Sequence, residues 1–344
     1  MARIALIHDV AGVAETQARI LRSAGHEVDH LRLPDFGAEW GWLAKAITFP
    51  IRLLIYLPTI LRLRRERYDV IHIHWVPRGI VGLLTGKPFL IQAHGSDLHM
   101  HVATPGVFTL NRLVLERAQT IFYVTPNLES YIHRFADKTR YLPNPINVRA
   151  ITMSPRTPTA VRRIVIFMRL DPVKGVERVF PAVERLREWA DLTAVAWGPL
   201  TDEYVRRYGN VMDFVEPVPH DHIGTFLGQF DLVIGQMELG ALGLSELEAM
   251  AAGRPLISGI DRRMYPGDKP PVVSSHDADE LVEQVRRLKD DAKRLANLSY
   301  EGREWIRRNH GFERHPQVGL RKEPALDLAV QKDRDHERGR DRAP

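Results

Sequence analysis

The chain contains no cysteine, which excludes disulfides, thiolate nucleophiles and cysteine-held metals. It lacks the glycine fingerprint of a dinucleotide site, because the loop after the first apolar run carries Gly12 alone where G-x-G-x-x-G is needed. It has no uninterrupted apolar run long enough for a membrane-crossing helix. The nearest approach, Trp40–Arg67, is broken by Pro50, Arg52 and Pro58. Zinc-type spacings and RNA-binding signatures are missing, so neither a metal nor a nucleic acid is expected. A secretory leader is not expected either, since the chain opens directly into the strand-like ARIALIHD.

What is present is a mixed composition with 44% hydrophobic and 26% charged residues over 344 positions, enough for two domains with full cores. The net charge of +5 favours an anionic partner; a nucleotide sugar and a lipid headgroup both fit. A merely solvated basic surface is the plain alternative. Short apolar runs alternate with helix-period stretches: ARIALIHD, then VAGVAETQARILRSAGHEV; YDVIHIHWV; KPFLIQAHGSD; RRIVIFMRL. That alternation predicts parallel sheets with helices on both faces. Ligands gather at the carboxyl ends of such strands, which makes His8, Asp9 and Gly12 candidate lining residues.

The chain is organised around Asp231–Ser258, DLVIGQMELGALGLSELEAMAAGRPLIS. DLVIG suits a buried strand, LSELEAMAAG a helix closed by Gly253, and LIS a further strand. A glycine-broken turn before a helix leaves backbone N–H groups at the positive end of its dipole, which suits a phosphate. At about 100° per residue, Leu244, Leu247 and Ala251 share one face. Glu246 points away from it, toward solvent. Glu248 lies near its inner edge, where ribose hydroxyls or an internal salt bridge would satisfy it.

Two further strand ends carry chemistry. KPFLIQAHGSD ends in His94-Gly95-Ser96-Asp97, a functional histidine or a helix cap. MRLDPVKG places Arg169 and Lys174 after a strand, where two cations can hold a diphosphate and stabilise charge on a leaving nucleotide. Trp197, Gly198 and residues 214–217 are candidates for contacting a base. Trp40–Arg67 combines two tryptophans and aliphatics with six basic residues against one Glu66. It reads as an interfacial segment on an anionic membrane or as an amphipathic helix on its own sheet.

HGSD, MRLDPVKG and GALGLSELEAMAAGRP together resemble the retaining glycosyltransferases of the glycogen-synthase-like group, family 4. Members carry Glu-x7-Glu in E-G-F-G-L-x-x-L-E-A-M. Anchored on Gly243, Leu244, Leu247, Ala249 and Met250, the second Glu is Glu248 and the first is replaced by Gly240. A literal Glu-x7-Glu, from Glu238 to Glu246, turns its second member outward and is set aside. The family's G-R-L-x-x-x-K-G is matched with Met168 in place of the first glycine.

The resemblance implies a GT-B fold: two doubly wound parallel-sheet domains facing across a cleft. The expected divisions are an acceptor-side domain 1–150, a linker 151–163, a donor domain 164–315 and a charged, disordered tail 316–344. It also implies hexosyl transfer from a nucleoside diphosphate sugar to a glycan or lipid-linked acceptor, with no cofactor or metal required. His94, Arg169 and Lys174 would be catalytic. Gly12, Gly240, Ala241, Leu242, Gly243, Leu244 and Glu248 would bind the donor. The expected location is cytoplasmic, peripheral at the inner face of the membrane. A non-catalytic nucleotide-sugar-binding scaffold, motivated by the missing first Glu, and a sugar-nucleotide epimerase are the rival readings.

Overall fold

The computed structural model describes residues 1–35, 44, 47–98, 107–151, 156–265 and 267–312. The described chain divides into two units between Pro145 and Ile146. The expected tail 316–344 lies outside the described residues.

The first unit holds a six-stranded sheet in the order β2-β1-β3-β4-β5-β6. Its strands are β1 (Arg3–Ile7), β2 (Glu27–Leu31), β3 (Val70–His74), β4 (Leu90–Ala93), β5 (Thr120–Tyr123) and β6 (Thr139–Tyr141). Its main helices are α1 (Val13–Ser23), α2 (Phe49–Arg65), α3 (Ile80–Thr85) and α4 (Val107–Arg117). Every pairing is parallel. Strand alternation sends Ile71, Ile73, Ile91 and Ala93 into one core and Leu6, Val70, Leu90 and Phe122 into the other. Apolar burial on both faces is what makes these runs continuous in sequence.

The second unit repeats the plan with a sheet ordered β12-β11-β10-β7-β8-β9. Its strands are β7 (Arg163–Ile166), β8 (Asp191–Val195), β9 (Asp213–Val215), β10 (Leu232–Ile234), β11 (Leu256–Ser258) and β12 (Val273–Ser274). The longer helices are α5 (Thr201–Tyr208), α6 (Leu244–Ala251), α7 (Ala278–Leu288) and α8 (Ala292–His310). Pro181 breaks the stretch after Lys174 into single turns, as a missing N–H requires. Residues 151 and 156 are tied into this unit: Arg303 donates to the Ile151 carbonyl and Arg254 to that of Arg156.

In each sheet the strand order reverses once, between β1 and β3 and between β7 and β10. Loops leaving neighbouring strands at such a point diverge and open a crevice at the carboxyl ends. The two switch points therefore locate the places where a ligand is expected.

The described part of Trp40–Arg67 is mostly α2. Tyr56, Ile60 and Leu63 are buried in the first core. Ile51, Leu54 and Leu57 face outward and are exposed. At 100° per residue these two sets lie on opposite faces, so the helix is apolar on both sides. Pro58 lies inside it without ending it. Among the described residues no helix is long and apolar enough to cross a membrane.

Candidate active site

The loop between β10 and α6 is held by side chains the protein supplies itself. Gln236, fully buried, accepts from the N–H groups of Glu238 and Leu239 at 2.9 and 2.7 Å. Its amide donates to the carbonyls of Ala241 and Gly259 at 2.9 and 3.1 Å. The Tyr265 hydroxyl accepts from Leu242 N–H at 2.8 Å. Ala241 and Leu242 turn their side chains into the interior.

Glu246 corrects an expectation. Instead of meeting solvent it is 3% exposed, and its carboxylate accepts from Gln236 N–H at 3.0 Å and Gly243 N–H at 2.9 Å. A helical-wheel angle describes a helix alone and cannot register a loop folding back over the wheel. The missed signal was the spacing itself, an acid three residues after the helix N-cap, which reaches back to the cap N–H. With Gly243 N–H so engaged, the donors left at the head of α6 are those of Leu244, Ser245 and Glu246, which have no carbonyl one turn behind them.

Lys174 lies against this helix start. Met237 N–H donates to the Lys174 carbonyl at 3.0 Å, tying the loop after β7 to the loop after β10. The Lys174 Nζ is 3.6 Å from where a Cβ on Gly243 would stand. Among the described residues it forms no ion pair. Arg169 is paired with Asp171, whose other oxygen accepts from Val173 N–H at 3.0 Å. A Cβ on Gly198 would fall 2.9 Å from Arg169 Cγ and 2.6 Å from the Leu170 carbonyl, at a φ of +116°, so only glycine fits there. Trp197 donates from its indole N–H to the Met168 carbonyl at 2.9 Å. Arg169, Trp197 and Gly198 are thus neighbours, while residues 214–217 belong to β9 and its exit, two strands from β7.

Glu248 is buried and meets Nδ1 of His220 at 2.9 Å. Burial raises its carboxyl above the ordinary value, with His220 opposing. His220 was not anticipated, because it comes from a stretch with no motif. Gly240 adopts φ +67°, and a Cβ there would lie 3.4 Å from Met264 Cε and 3.5 Å from Asp261 Cβ. A glutamate at this position would need a strained backbone, while its Cβ would meet only ordinary contacts.

The remaining residues belong to the first unit. Asp97 is fully buried and accepts from the N–H groups of Val76, His94, Gly95 and Leu98 at 2.8–3.1 Å. It thereby pins the exits of β3 and β4 together. His94 remains partly accessible, and its Nε2 meets Nδ1 of His74 at 3.1 Å. Gly12 is half-buried at the start of α1 with φ +75°, and Asp9 accepts from Ala14 N–H at 3.0 Å. Among the described residues the non-glycine residues with positive φ are His8, Ala11 and Trp75. All three follow β1 or β3, and strain of this kind concentrates at functional sites.

The glycosyl transferase 4-like domain matches residues 10–145, and the glycosyl transferases group 1 domain matches residues 154–305. The chain is a glycosyltransferase that carries these two domains. This glycosyltransferase is 23% identical over 302 residues to the GDP-mannose-dependent alpha-(1-6)-phosphatidylinositol monomannoside mannosyltransferase of Mycobacterium tuberculosis, covering 76% of this chain and 78% of that protein. Its fold matches sucrose-phosphate synthase from Thermosynechococcus elongatus with a TM-score of 0.72 at 18% identity, over 98% of this chain and 100% of the other. It also matches Anabaena HepE in complex with UDP and glucose, with a TM-score of 0.66 at 13% identity, over 92% and 98% of the two chains. The two doubly wound units are those of the GT-B fold.

Proposed function

We propose that this glycosyltransferase moves a hexose from a nucleoside diphosphate sugar to a glycan or lipid-linked acceptor, with retention at the anomeric carbon. One observation carries the reading: a Lys174 ammonium without an ion-pair partner among the described residues lies beside the first turn of α6, at the β7–β10 switch point. Together they supply positive charge and N–H donors to a departing diphosphate. Arg169 joins them by exchanging Asp171 for a phosphoryl oxygen. Glu248 grips the ribose hydroxyls. His94, by resemblance to the family motif, serves the reacting sugar. The names of the relatives support the donor class, since one uses GDP-mannose and another was solved with UDP and glucose; the shared chemistry is the nucleoside diphosphate.

The outward apolar face of α2, flanked by exposed Arg64, Arg65 and Arg67, supports an acceptor on an anionic membrane. Co-sedimentation with phosphatidylglycerol vesicles at low salt, weakened in Leu54→Asp, would bear this out; no sedimentation by the wild type would end it.

The test of the main reading is release of nucleoside diphosphate from GDP-mannose and UDP-glucose. Wild type should release it from one of them, and Lys174→Ala should be slower by about 100-fold, on the order of a charge-assisted hydrogen bond lost in the transition state. Equal rates would refute the assignment. An inverted anomeric proton coupling in the transferred sugar would remove retention alone.

A further inference from the structure

Three imidazoles form a column inside the first unit. His72 and His74 alternate on β3 and stack with ring centroids 4.8 Å apart. His74 stacks in turn on His94 at 5.2 Å, with the Nδ1–Nε2 contact of 3.1 Å between them. His74 is fully buried, and its Nε2 makes no hydrogen bond. Among the described residues Nδ1 of His94 has no hydrogen-bond partner.

A neutral imidazole carries one N–H. Both rings are held neutral: burial, followed by His72 and His94, pushes His74 well below its ordinary value, and burial with His72 and His8 lowers His94. His94 keeps some access to solvent. One proton therefore lies in the contact between them, and there are two ways to place it. If His94 donates from Nε2, the hydrogen of His74 must sit on its own Nε2, buried with no acceptor. If His74 donates from Nδ1, its Nε2 keeps only a lone pair. A buried N–H without an acceptor is the costlier and rarer of the two. The second arrangement prevails, and the hydrogen of His94 is then on Nδ1.

We infer that His74 is a positioning residue that fixes His94 in its Nδ1–H tautomer, so that His94 meets substrate oxygen as a neutral hydrogen-bond donor and takes no proton from it. The tautomer is set by the partner of the other ring nitrogen. Asp97 fixes the main chain of His94 through its N–H, and His74 fixes the ring. The part concerning substrate rests on the proposed function; the part concerning the tautomer does not.

The test is long-range proton–nitrogen NMR on the full chain labelled at histidine nitrogens, with His94 and His74 assigned from His94→Gln and His74→Asn. The expected wild-type spectrum shows His94 protonated at Nδ1 and bare at Nε2, unchanged between about pH 8 and pH 6. A hydrogen on Nε2 of His94, or on both nitrogens, at neutral pH overturns the inference whether or not any sugar is transferred. A second arm follows turnover of GDP-mannose and UDP-glucose. His74→Asn retains an N–H near the position of Nδ1 and should keep most of kcat. His74→Leu should lose kcat on the order of tenfold with donor KM little changed. Equal turnover losses in the two variants would make His74 mere packing and overturn the substrate part.

Discussion

Replacing Glu246 by glutamine tests whether the donor loop is held from beneath. The carboxylate accepts two backbone N–H bonds, from Gln236 and Gly243, while almost wholly buried. Hydrogen bonds to a charged group are worth roughly 1.5–3 kcal/mol each. Glutamine preserves the shape but offers one oxygen, so one N–H would face an NH2 group. The favourable charge at the head of α6, worth about 0.3–1 kcal/mol, is lost as well. The expected cost is about 2–4 kcal/mol, or roughly 4–16 °C in the melting of a unit this size. Glu301→Gln, on the exposed face of α8, is the control and should lie within about 0.5 kcal/mol of wild type. Differential scanning calorimetry of both variants decides the matter. If Glu246→Gln melts with the control, the carboxylate does not organise the loop and the correction drawn for Glu246 is mistaken.

Other outcomes follow from the same structure. Because burial raises the Glu248 carboxyl in the folded chain, stability is lost as pH rises from the unfolded value of about 4.5 toward the folded one. Glu248→Gln removes that loss, and at pH 7 it should melt at or above wild type while binding donor more weakly; a clearly lower melting point would contradict this. His8, His74 and His94 have lowered values, so they favour the folded state above the unfolded value of about 6.5 and weaken it as pH falls below. Each costs up to about 1.4 kcal/mol per pH unit there, so melting between pH 7 and 5 should fall less steeply in His74→Leu. Gly198→Ala forces a methyl to 2.6 Å from the Leu170 carbonyl and should destabilise by about 1–3 kcal/mol while moving Arg169. Unchanged melting and turnover would show that the loop yields freely.

The fold was legible because the inner strands of both sheets are short runs buried on two faces, bounded by glycine, proline or polar loops. Lys174 was picked out with Arg169 as one of two cations following a strand, and it lies beside Gly243 at the head of α6. Tyr265, His220 and His74 were not, since each acts through a contact distant in sequence, and neither was Gln236, whose partners are backbone groups that carry no sequence signal. Nothing in QMELG shows that Gln236 will bridge three turns of backbone. The two faces of α2 were a related difficulty. Apolar residues all round a helix fit either burial or an interface, and here Tyr56 is buried while Leu54 is exposed. Arg169 follows its strand as expected, but its pairing with Asp171, two residues on, was not anticipated.

The most direct measurement is calorimetric binding of UDP and of GDP to wild type, Lys174→Ala and the surface control Lys293→Ala. Wild type and Lys293→Ala should bind one of the two diphosphates equally well. Lys174→Ala should bind it more weakly by roughly 10- to 150-fold, the equivalent of about 1.5–3 kcal/mol, with a shallower dependence on salt. Affinity unchanged by the loss of Lys174, or no binding of either diphosphate to wild type, would contradict the account.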